Sequence, residues 1–154
     1  MTQIPQFGAP EPGHAYPDRP AAFGILVRGE EIALVEVTTP GKPLWRDLPG
    51  GGVDPGETPE QAVVREFGEE AGLRVAAGET FLRADQFFIN GDGERFNVRG
   101  VFMTATLVGE APGLKVEDDH ELIWRAPLEA IRVVRREAHA WAIATWLRRL
   151  RDAA

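Results

Sequence analysis

The segment from Leu48 to Leu73, LPGGGVDPGETPEQAVVREFGEEAGL, constrains the fold and chemistry of this chain more than any other. Three consecutive glycines are followed by a second glycine turn and then by a stretch rich in acidic residues. Thr58 is placed to be a helix N-cap, with a proline at the first helical position and Gln61 at the capping-box position. The helix is predicted to run to about Ala71 and to stop at Gly72. A glycine-rich turn therefore leads directly into a short acidic helix.

Three glutamates of this helix, Glu66, Glu69 and Glu70, are spaced i, i+3 and i+4, so they share one helix face. Unpaired, such charges repel one another, but a hard divalent cation reverses the effect because Mg²⁺ and Mn²⁺ prefer oxygen ligands. The preceding glycines let a backbone approach the same place without a side-chain clash. A solvated acidic face is the alternative for any single glutamate. All three glutamates occur together, at fixed spacings from the glycines and from Arg65. This combination favours a site for a metal-bridged phosphate ester.

From Gly51 to Leu73 the sequence resembles the Nudix box. It reads glycine, five residues, glutamate, seven residues and then REFGEEAGL, which matches the box at every defined position. The resemblance covers Pro20 to Leu150 and implies a Nudix-type α/β (α+β) fold, a mixed β-sheet sandwiched between helices. We expect a Pro/Gly-rich N-terminal arm over residues 1–20, extended on the surface or partly disordered, and a single Nudix hydrolase domain over residues 21–154.

The resemblance implies metal-dependent hydrolysis of a pyrophosphate bond in a nucleoside diphosphate linked to another group, with Mg²⁺ or Mn²⁺ as cofactor. The implied metal ligands are the carbonyl of Gly50 and the carboxylates of Glu66, Glu69, Glu70 and Glu121. The implied catalytic residues are Arg65, Glu66, Glu69 and Glu121. Arg65 is also expected to form an ion pair with Glu57 that holds loop and helix together. Glu66 and Glu121 are both candidates for the general base, and the sequence does not rank them.

The acidic stretch EDDHE, from Glu117 to Glu121, is the second place with candidate ligands. Glu121 stands directly before a predicted strand, in a position like that of a ligand or general base in many Nudix relatives. Glu117, Asp118 and Asp119 are weaker candidates, and a polar turn is the alternative for the whole stretch. His120 is interpreted as an exposed loop histidine, although histidine titrates near neutral pH.

The rest of the chain predicts a mixed sheet with helices on it. Strands are predicted over residues 21–27, 32–37, 81–89, 95–108 and 122–124, with the hairpin turn NGDG between the third and the fourth. Residues 38–47 and 109–121 are predicted as loops. The acidic helix is expected to bury Val63, Val64, Phe67 and Ala71. A terminal helix over residues 135–150 is expected to dock on the sheet with Trp141 and Trp146 in the core, and its arginines are interpreted as a solvated face.

The composition excludes several classes of protein. The chain has 154 residues, a formal net charge of −7 and no cysteine, which excludes disulfides and thiolate metal sites. No apolar run approaches the roughly 20 residues of a membrane span, and the N-terminus lacks the pattern of a signal peptide. We therefore expect a cytoplasmic protein whose partner is a small nucleotide, with no nucleic acid and no membrane as partner. The sequence leaves the oligomeric state open, a homodimer included.

The substrate class is inferred by elimination of Nudix subfamilies whose markers are absent. Ile89 stands where the ADP-ribose type of Nudix hydrolase often has proline, and Asn90 stands near the tyrosine of the dinucleoside polyphosphate type. The strings typical of the NADH and coenzyme A types are absent as well. The broad MutT-like group, which includes (d)NTP pyrophosphatases, remains. The alternative is a non-catalytic nucleotide-binding or regulatory module on the Nudix fold, although such modules typically lose box glutamates that are all present here.

Overall fold

The computed structural model describes residues 3–154, which form eight strands and three helices. The strands are β1 (Gln6–Phe7), β2 (Asp18–Arg28), β3 (Glu31–Val37), β4 (Trp45–Asp47), β5 (Gly50–Gly52), β6 (Leu73–Ile89), β7 (Arg95–Glu110) and β8 (His120–Arg125). The helices are α1 (Pro59–Ala71), α2 (Pro127–Val133) and α3 (Glu137–Ala153), with one 3₁₀ turn at Pro112–Leu114. The predicted α+β class is confirmed.

The strands form one mixed sheet in the order β1-β6-β7-β2-β3-β4. The two longest strands, β6 and β7, form an antiparallel hairpin, and β7 runs parallel to β2. Off this path, β8 pairs with β3 and the all-glycine strand β5 pairs with β2. The pairing of β5 sets Gly50 opposite Phe23 and Gly52 opposite Ala21. The glycine strand therefore lies on the edge of the sheet, immediately before the acidic helix.

Helices cover both faces of the sheet. Successive residues of a strand point to opposite faces, so one strand contributes side chains to both cores. On β2, Ala21, Phe23 and Ile25 pack into one core with residues of α3, whereas Ala22 and Leu26 pack into a second core with residues of α1. Ile25 and Leu26 are each 1% exposed, and burial of a side chain of this size contributes about 1.5–3 kcal/mol. The predicted sandwich of a sheet between helices is confirmed.

Helix α1 begins and ends at the predicted residues. The Thr58 hydroxyl accepts a hydrogen bond from Gln61 N at 3.1 Å, and Thr58 N donates to the Gln61 side chain at 2.9 Å. Both halves of the capping box are therefore present. Gly72 ends the helix in the left-handed region, with φ of 66°, where glycine carries no steric cost.

The helical core predictions are partly confirmed. On α1, Val63 and Phe67 are fully buried, but Val64 is 38% exposed, because one residue along a helix turns about 100° away from the buried stripe. On α3, Trp146 is 7% exposed, as predicted, whereas Trp141 is 50% exposed. The prediction that Trp141 lies in the core is wrong, because half of this residue is exposed; its ring contacts Phe7 of the short strand β1, with ring centroids 6.1 Å apart.

Four strands or helices lie where the sequence predicted none, namely β1, β4, β5 and α2. β4 occupies part of the predicted loop 38–47, and its three residues become a strand only by antiparallel pairing with β3. α2 has seven residues, too few for a helical period to be read from the sequence. β6 begins at Leu73 instead of residue 81, and β8 begins at His120, inside the predicted loop 109–121.

The N-terminal residues that the structure describes lie along the sheet. β1 pairs in parallel with β6 at Asp85 and Gln86, and the Tyr16 ring packs edge-on against Phe87 at 5.4 Å. β2 begins at Asp18, within the stretch expected to be the arm, and residues 1 and 2 of that arm lie outside the described range. Within residues 3–154, no helix is long and apolar enough to cross a membrane.

Candidate active site

The carboxylate face of α1 lies directly against the glycine strand β5. Gly50 N donates a hydrogen bond to Glu70 Oε1 at 2.9 Å. A Cβ on Gly51 would come 2.9 Å from Glu66 Oε1, and a Cβ on Gly50 would come 2.7 Å from the Phe23 backbone. Gly50 also has φ of 143°, which other residues rarely adopt. Side chains here would push strand and helix apart, so the glycines are what allows the carboxylates to approach the backbone.

Arg65 ties the loop, the glycine strand and the helix together. Its guanidinium donates to both carboxylate oxygens of Glu57, at 2.8 and 3.0 Å, and to the carbonyl of Gly52 at 3.0 Å. It also donates to Glu66 Oε1 at 2.9 Å and to Glu69 Oε2 at 3.1 Å. The hydrogen bonds from Arg65 lower the pKa of Glu57 to about 2. The expected ion pair of Glu57 and Arg65 is present, and Arg65 also neutralises part of the charge on two predicted ligands.

Glu66 lies beside Gly51 of the glycine strand, and its side chain is 15% exposed. Burial raises the pKa of Glu66 to about 7, with further contributions from the charges on Glu70 and Glu69 and an opposing one from Arg65. Such a carboxyl exchanges protons near neutral pH, which suits acid–base chemistry. The same shift shows that negative charge is crowded at this point.

Glu70 is the most deeply buried of the three carboxylates, with a side chain that is 6% exposed. Its Oε2 lies 3.3 Å from His120 Nε2, and His120 Nδ1 lies 2.8 Å from Asp119 Oδ1. Burial raises the pKa of Glu70 although His120 and the Gly50 N–H oppose it. Burial disfavours the charged form of His120, but its two carboxylate partners outweigh burial and raise the pKa of His120 to about 9. The interpretation of His120 as an exposed loop histidine is therefore wrong, since it lies in β8 and its side chain is 15% exposed.

The structure does not bring the Glu121 side chain to this cluster. Glu121 is exposed on β8 opposite Glu36 of β3, and it points to the other side of the strand from its neighbour His120. Its side chain forms no hydrogen bond or ion pair with residues 3–154. Glu117 lies closer to α1, because its backbone N–H donates to the carbonyl of Glu69 at 3.1 Å. Glu117 is a weaker candidate from sequence alone, because its approach to α1 depends on how the loop after β7 folds back.

The donor set of the site fits a hard divalent cation. Three carboxylates gather at one end of α1. Burial is the main cause of the raised pKa of Glu66, the charges of Glu70 and Glu69 add to it, and a cation would relieve both effects. Beside them, Glu117, Asp119 and His120 can each bring one ligand atom within 4.8 Å of the others. The chain has no cysteine, so all candidate ligands are oxygen or imidazole nitrogen.

A cavity of about 870 Å³ opens beside the glycine strand, a volume typical of small-molecule sites. Its lining includes the aromatic residues Trp45 and Phe88 and the basic residues Arg19, Lys42, Arg135 and Arg136. The guanidinium of Arg135 stacks 3.7 Å from the ring of Trp45. The interpretation of Arg135 and Arg136 as a solvated helix face is therefore wrong. Two consecutive arginines before α3 were the only sign in the sequence that these residues line a site. Their role could not be predicted because their partners, on β4 and β6, are far away in the sequence.

Two relatives among curated proteins align with parts of the chain. A Bacillus subtilis (strain 168) protein named putative 8-oxo-dGTP diphosphatase is 48% identical over 52 residues, which are 34% of this chain and 34% of that protein. A Mycobacterium tuberculosis (strain ATCC 25618 / H37Rv) protein named putative 8-oxo-dGTP diphosphatase 3 is 34% identical over 115 residues, which are 70% of this chain and 42% of that protein. The aligned segment therefore spans less than half the length of each of these relatives.

The fold and the family agree with the geometry of the site. The solved structure of a NUDIX hydrolase from Nitrosomonas europaea superposes with a TM-score of 0.71 over 83% of this chain and 87% of that one, at 19% identity, which shows a shared fold. The family model described as NUDIX domain matches residues 18–150, most of the chain. The protein therefore belongs to the Nudix family.

Proposed function

We propose that this protein is a Nudix pyrophosphohydrolase that cleaves a pyrophosphate bond in a (d)NTP or a related nucleotide. The observation that carries the proposal is the set of three carboxylates, Glu66, Glu69 and Glu70, gathered against a glycine strand at the edge of a nucleotide-sized cavity. Carboxylates that share a metal with substrate phosphates need this proximity of backbone and acidic side chains.

The proposed cofactor is Mg²⁺ or Mn²⁺. Its proposed ligands are the Gly50 carbonyl and the carboxylates of Glu66, Glu69 and Glu70. Glu121, a ligand implied by the sequence, is left out of this set because its side chain lies on the other face of β8 from His120. When bound, the metal supplies Lewis-acid activation of the phosphate and lowers the pKa of a bound water.

The chain's own residues position charge and move a proton. Arg65 fixes α1 to the loop that precedes it, so Glu66 and Glu69 stay at one end of the cavity. Glu66, with a pKa of about 7, is poised to take a proton from an attacking water near neutral pH. Glu117 becomes a second candidate for this base because its backbone is bonded to Glu69. Glu121 remains a candidate from the sequence, although its side chain lies on the other face of β8 from His120.

A nucleotide screen tests the proposal. Ribo- and deoxyribonucleoside triphosphates, ADP-ribose and dinucleoside polyphosphates are each incubated with the protein in Mg²⁺, in Mn²⁺ and in chelator. We expect phosphate or pyrophosphate release from at least one (d)NTP with either metal and none with chelator. Glu66→Gln should abolish turnover, whereas Glu60→Gln, on the exposed side of the same helix, should leave it unchanged. Full turnover after exhaustive metal removal would contradict the proposal.

The alternative function is a non-catalytic nucleotide-binding or regulatory module on the Nudix fold. Tight nucleotide binding in the same screen, without turnover of any substrate with either metal, would favour the module. The complete set of box glutamates favours the enzyme, since a module has no need to keep crowded carboxylates together.

The names of these two relatives are in keeping with a nucleotide substrate, because each is named a putative 8-oxo-dGTP diphosphatase. We propose the cytoplasm as the compartment, in keeping with a chain that has no cysteine.

A further inference from the structure

The floor of the cavity contains two arginines that share one carboxylate. Asp47 is 2% exposed, and its Oδ2 lies 2.8 Å from Arg135 Nη2 and 3.1 Å from Arg136 Nε. Arg135 and Arg136 both line the cavity, and Asp47 does not. One negative charge for two guanidinium groups leaves a net positive charge on the floor.

Arg136 has hydrogen-bonding capacity that the protein leaves unused. Its guanidinium lies 4.0 Å above the ring of Phe88 and its side chain is 15% exposed. Nε is enclosed and has no hydrogen-bond partner, because its approach to Asp47 has ion-pair distance without hydrogen-bond geometry. In the described part of the chain, the Arg136 side chain donates no hydrogen bond. The enclosed Nε lies against Asp47 and out of a ligand's reach, so Nη1 and Nη2, which donate to no acceptor within residues 3–154, are the groups available to an acceptor that arrives with a ligand.

Arg136 approaches the glycine strand from the face of the sheet opposite to Glu66, because it packs on Phe23, which pairs with Gly50. Arg136 rests on Phe88 and Phe23, which pack on the α3 side of the sheet. Glu66 instead faces Gly51 from the α1 side. A nucleotide whose phosphates lie at the carboxylates would therefore extend past β5 and bring its base toward Arg136.

The chemistry of a guanidinium selects among bases. Arginine offers only donors, and its fork matches two adjacent acceptors such as O6 and N7 of guanine. Adenine places an amino donor beside N7, which opposes a second donor. In 8-oxoguanine, N7 carries a hydrogen, so it also presents a donor where guanine presents an acceptor.

We propose that Arg136 is a specificity-determining residue that binds the O6/N7 edge of an unoxidised 6-oxopurine, so the preferred substrates are guanine and hypoxanthine nucleotides. The proposal rests on the proposed pyrophosphohydrolase function and assigns its base preference. It predicts that the enzyme disfavours 8-oxoguanine, the base in the names of the aligned relatives.

Base analogues test the proposal on the unmodified protein. The measurement is kcat/KM for dGTP, dITP, 7-deaza-dGTP, 8-oxo-dGTP and dATP under one metal condition. dITP, which keeps O6 and N7, should match dGTP. The analogues that lose the N7 acceptor or the O6 acceptor should fall by about 5-fold to 150-fold, the range expected for one bidentate arginine–guanine pair. Equal kcat/KM for dGTP and 7-deaza-dGTP, or a preference for 8-oxo-dGTP, would overturn the proposal and leave the pyrophosphohydrolase function standing.

Variants show whether Arg136 is the source of the preference. Arg136→Gln supplies a donor and an acceptor, so it should remove the advantage of dGTP over 7-deaza-dGTP and raise dATP relative to dGTP. The matched control is Arg28→Gln, because Arg28 stacks on Trp124 at 3.9 Å, away from the cavity. The control should keep the base preference of the unmodified protein. An Arg136→Gln variant that is folded and keeps that preference would also overturn the proposal.

A binding measurement keeps the test independent of turnover. The thermal shift of the metal-free protein is measured with dGMP, 7-deaza-dGMP and dAMP. We expect dGMP to raise Tm more than either analogue at equal concentration, since stabilisation follows affinity. Equal shifts would refute the role of Arg136, whereas a dGMP-selective shift without hydrolysis of any nucleotide would refute only the proposed function.

Discussion

At the scale of single residues, Glu57 and Glu66 show how surroundings set the charge of identical side chains. Glu57 accepts two hydrogen bonds from Arg65, which lower its pKa to about 2. Glu66 shares the same arginine, but burial and the neighbouring charges of Glu70 and Glu69 raise its pKa to about 7. One glutamate therefore stays charged as a structural partner, and the other holds its proton loosely near neutral pH, as acid–base chemistry requires.

The general base is assigned by glutamine substitution at Glu66, Glu117 and Glu121. The residue that acts as base should lose about 10²–10⁴-fold in kcat as glutamine, with little change in the binding of the product nucleotide. The measurement is kcat for each variant, with Glu60→Gln as the control. If both Glu66→Gln and Glu121→Gln keep near-normal rates, neither sequence-derived candidate is the base.

Another single residue, His139, links stability to pH. Its side chain is 1% exposed, its Nδ1 accepts from Leu48 N–H at 3.0 Å, and the rings of Phe23 and Phe102 pack edge-on against it. Burial lowers the pKa of His139 to about 3, although the nearby Asp47 opposes the shift. His139 is therefore neutral in the folded protein at any pH at which the fold is commonly studied.

The sign of the pH dependence follows from this shift. Below the unfolded pKa of 6.5, the unfolded chain binds a proton at His139 that the folded protein does not bind until about pH 3. The contribution of His139 to stability should therefore be constant above pH 6.5 and should fall by about 1.4 kcal/mol per pH unit below it. Urea unfolding at pH 7.5, 5.5 and 4.5 measures the slope. His139→Asn keeps an acceptor for Leu48 and should show a shallower slope; the same slope in both proteins would mean that other groups cause the acid sensitivity.

At the scale of elements, the sequence predicted the features that adjacent residues determine and missed those that depend on residues far away in the chain. The start and end of α1 were predicted because capping and the left-handed stop at Gly72 are set by adjacent residues. β4 was missed because three residues become a strand only through pairing with β3. The carboxylate face of the site was also predicted, because Glu66, Glu69 and Glu70 lie close together in the sequence and share one face of α1. His120 and Arg136 were misread because their partners come from distant elements.

The capping box of α1 gives a prediction at this scale. Thr58→Ala removes the acceptor for Gln61 N and should lower the free energy of unfolding by about 1 kcal/mol, within a range of roughly 0.5–2. Thr58→Ser keeps the hydroxyl and is the matched control. Urea unfolding of both variants at neutral pH measures the difference. An alanine variant as stable as the serine variant would mean that the cap does not limit the stability of α1.

At the scale of the whole molecule, the fold separates two kinds of charge. The chain carries a net charge of −7, and three crowded carboxylates lie on the α1 side of the glycine strand. Arg19, Lys42, Arg135 and Arg136 line the cavity beside them. An anionic substrate would therefore be attracted to the cavity by arginine and lysine. At the carboxylates, Arg65 offsets only part of the repulsion, and a bound cation would offset more of it. We therefore predict that the three carboxylates contribute to metal binding and not to the stability of the fold.

The variant Glu69→Gln tests this reason through the stability of the whole protein. It removes like-charge repulsion worth about 0.2–0.5 kcal/mol per neighbour, and it also removes a half-exposed ion pair with Arg65, of the kind worth roughly 0.3–0.5 kcal/mol. The two effects nearly cancel, so in chelator the variant should melt close to the unmodified protein. With Mg²⁺ or Mn²⁺ it should gain less Tm and turn over far more slowly, because ligand-linked stabilisation follows affinity. A variant that melts markedly lower in chelator, with an unchanged metal-induced shift, would show that Glu69 serves the fold and not the metal.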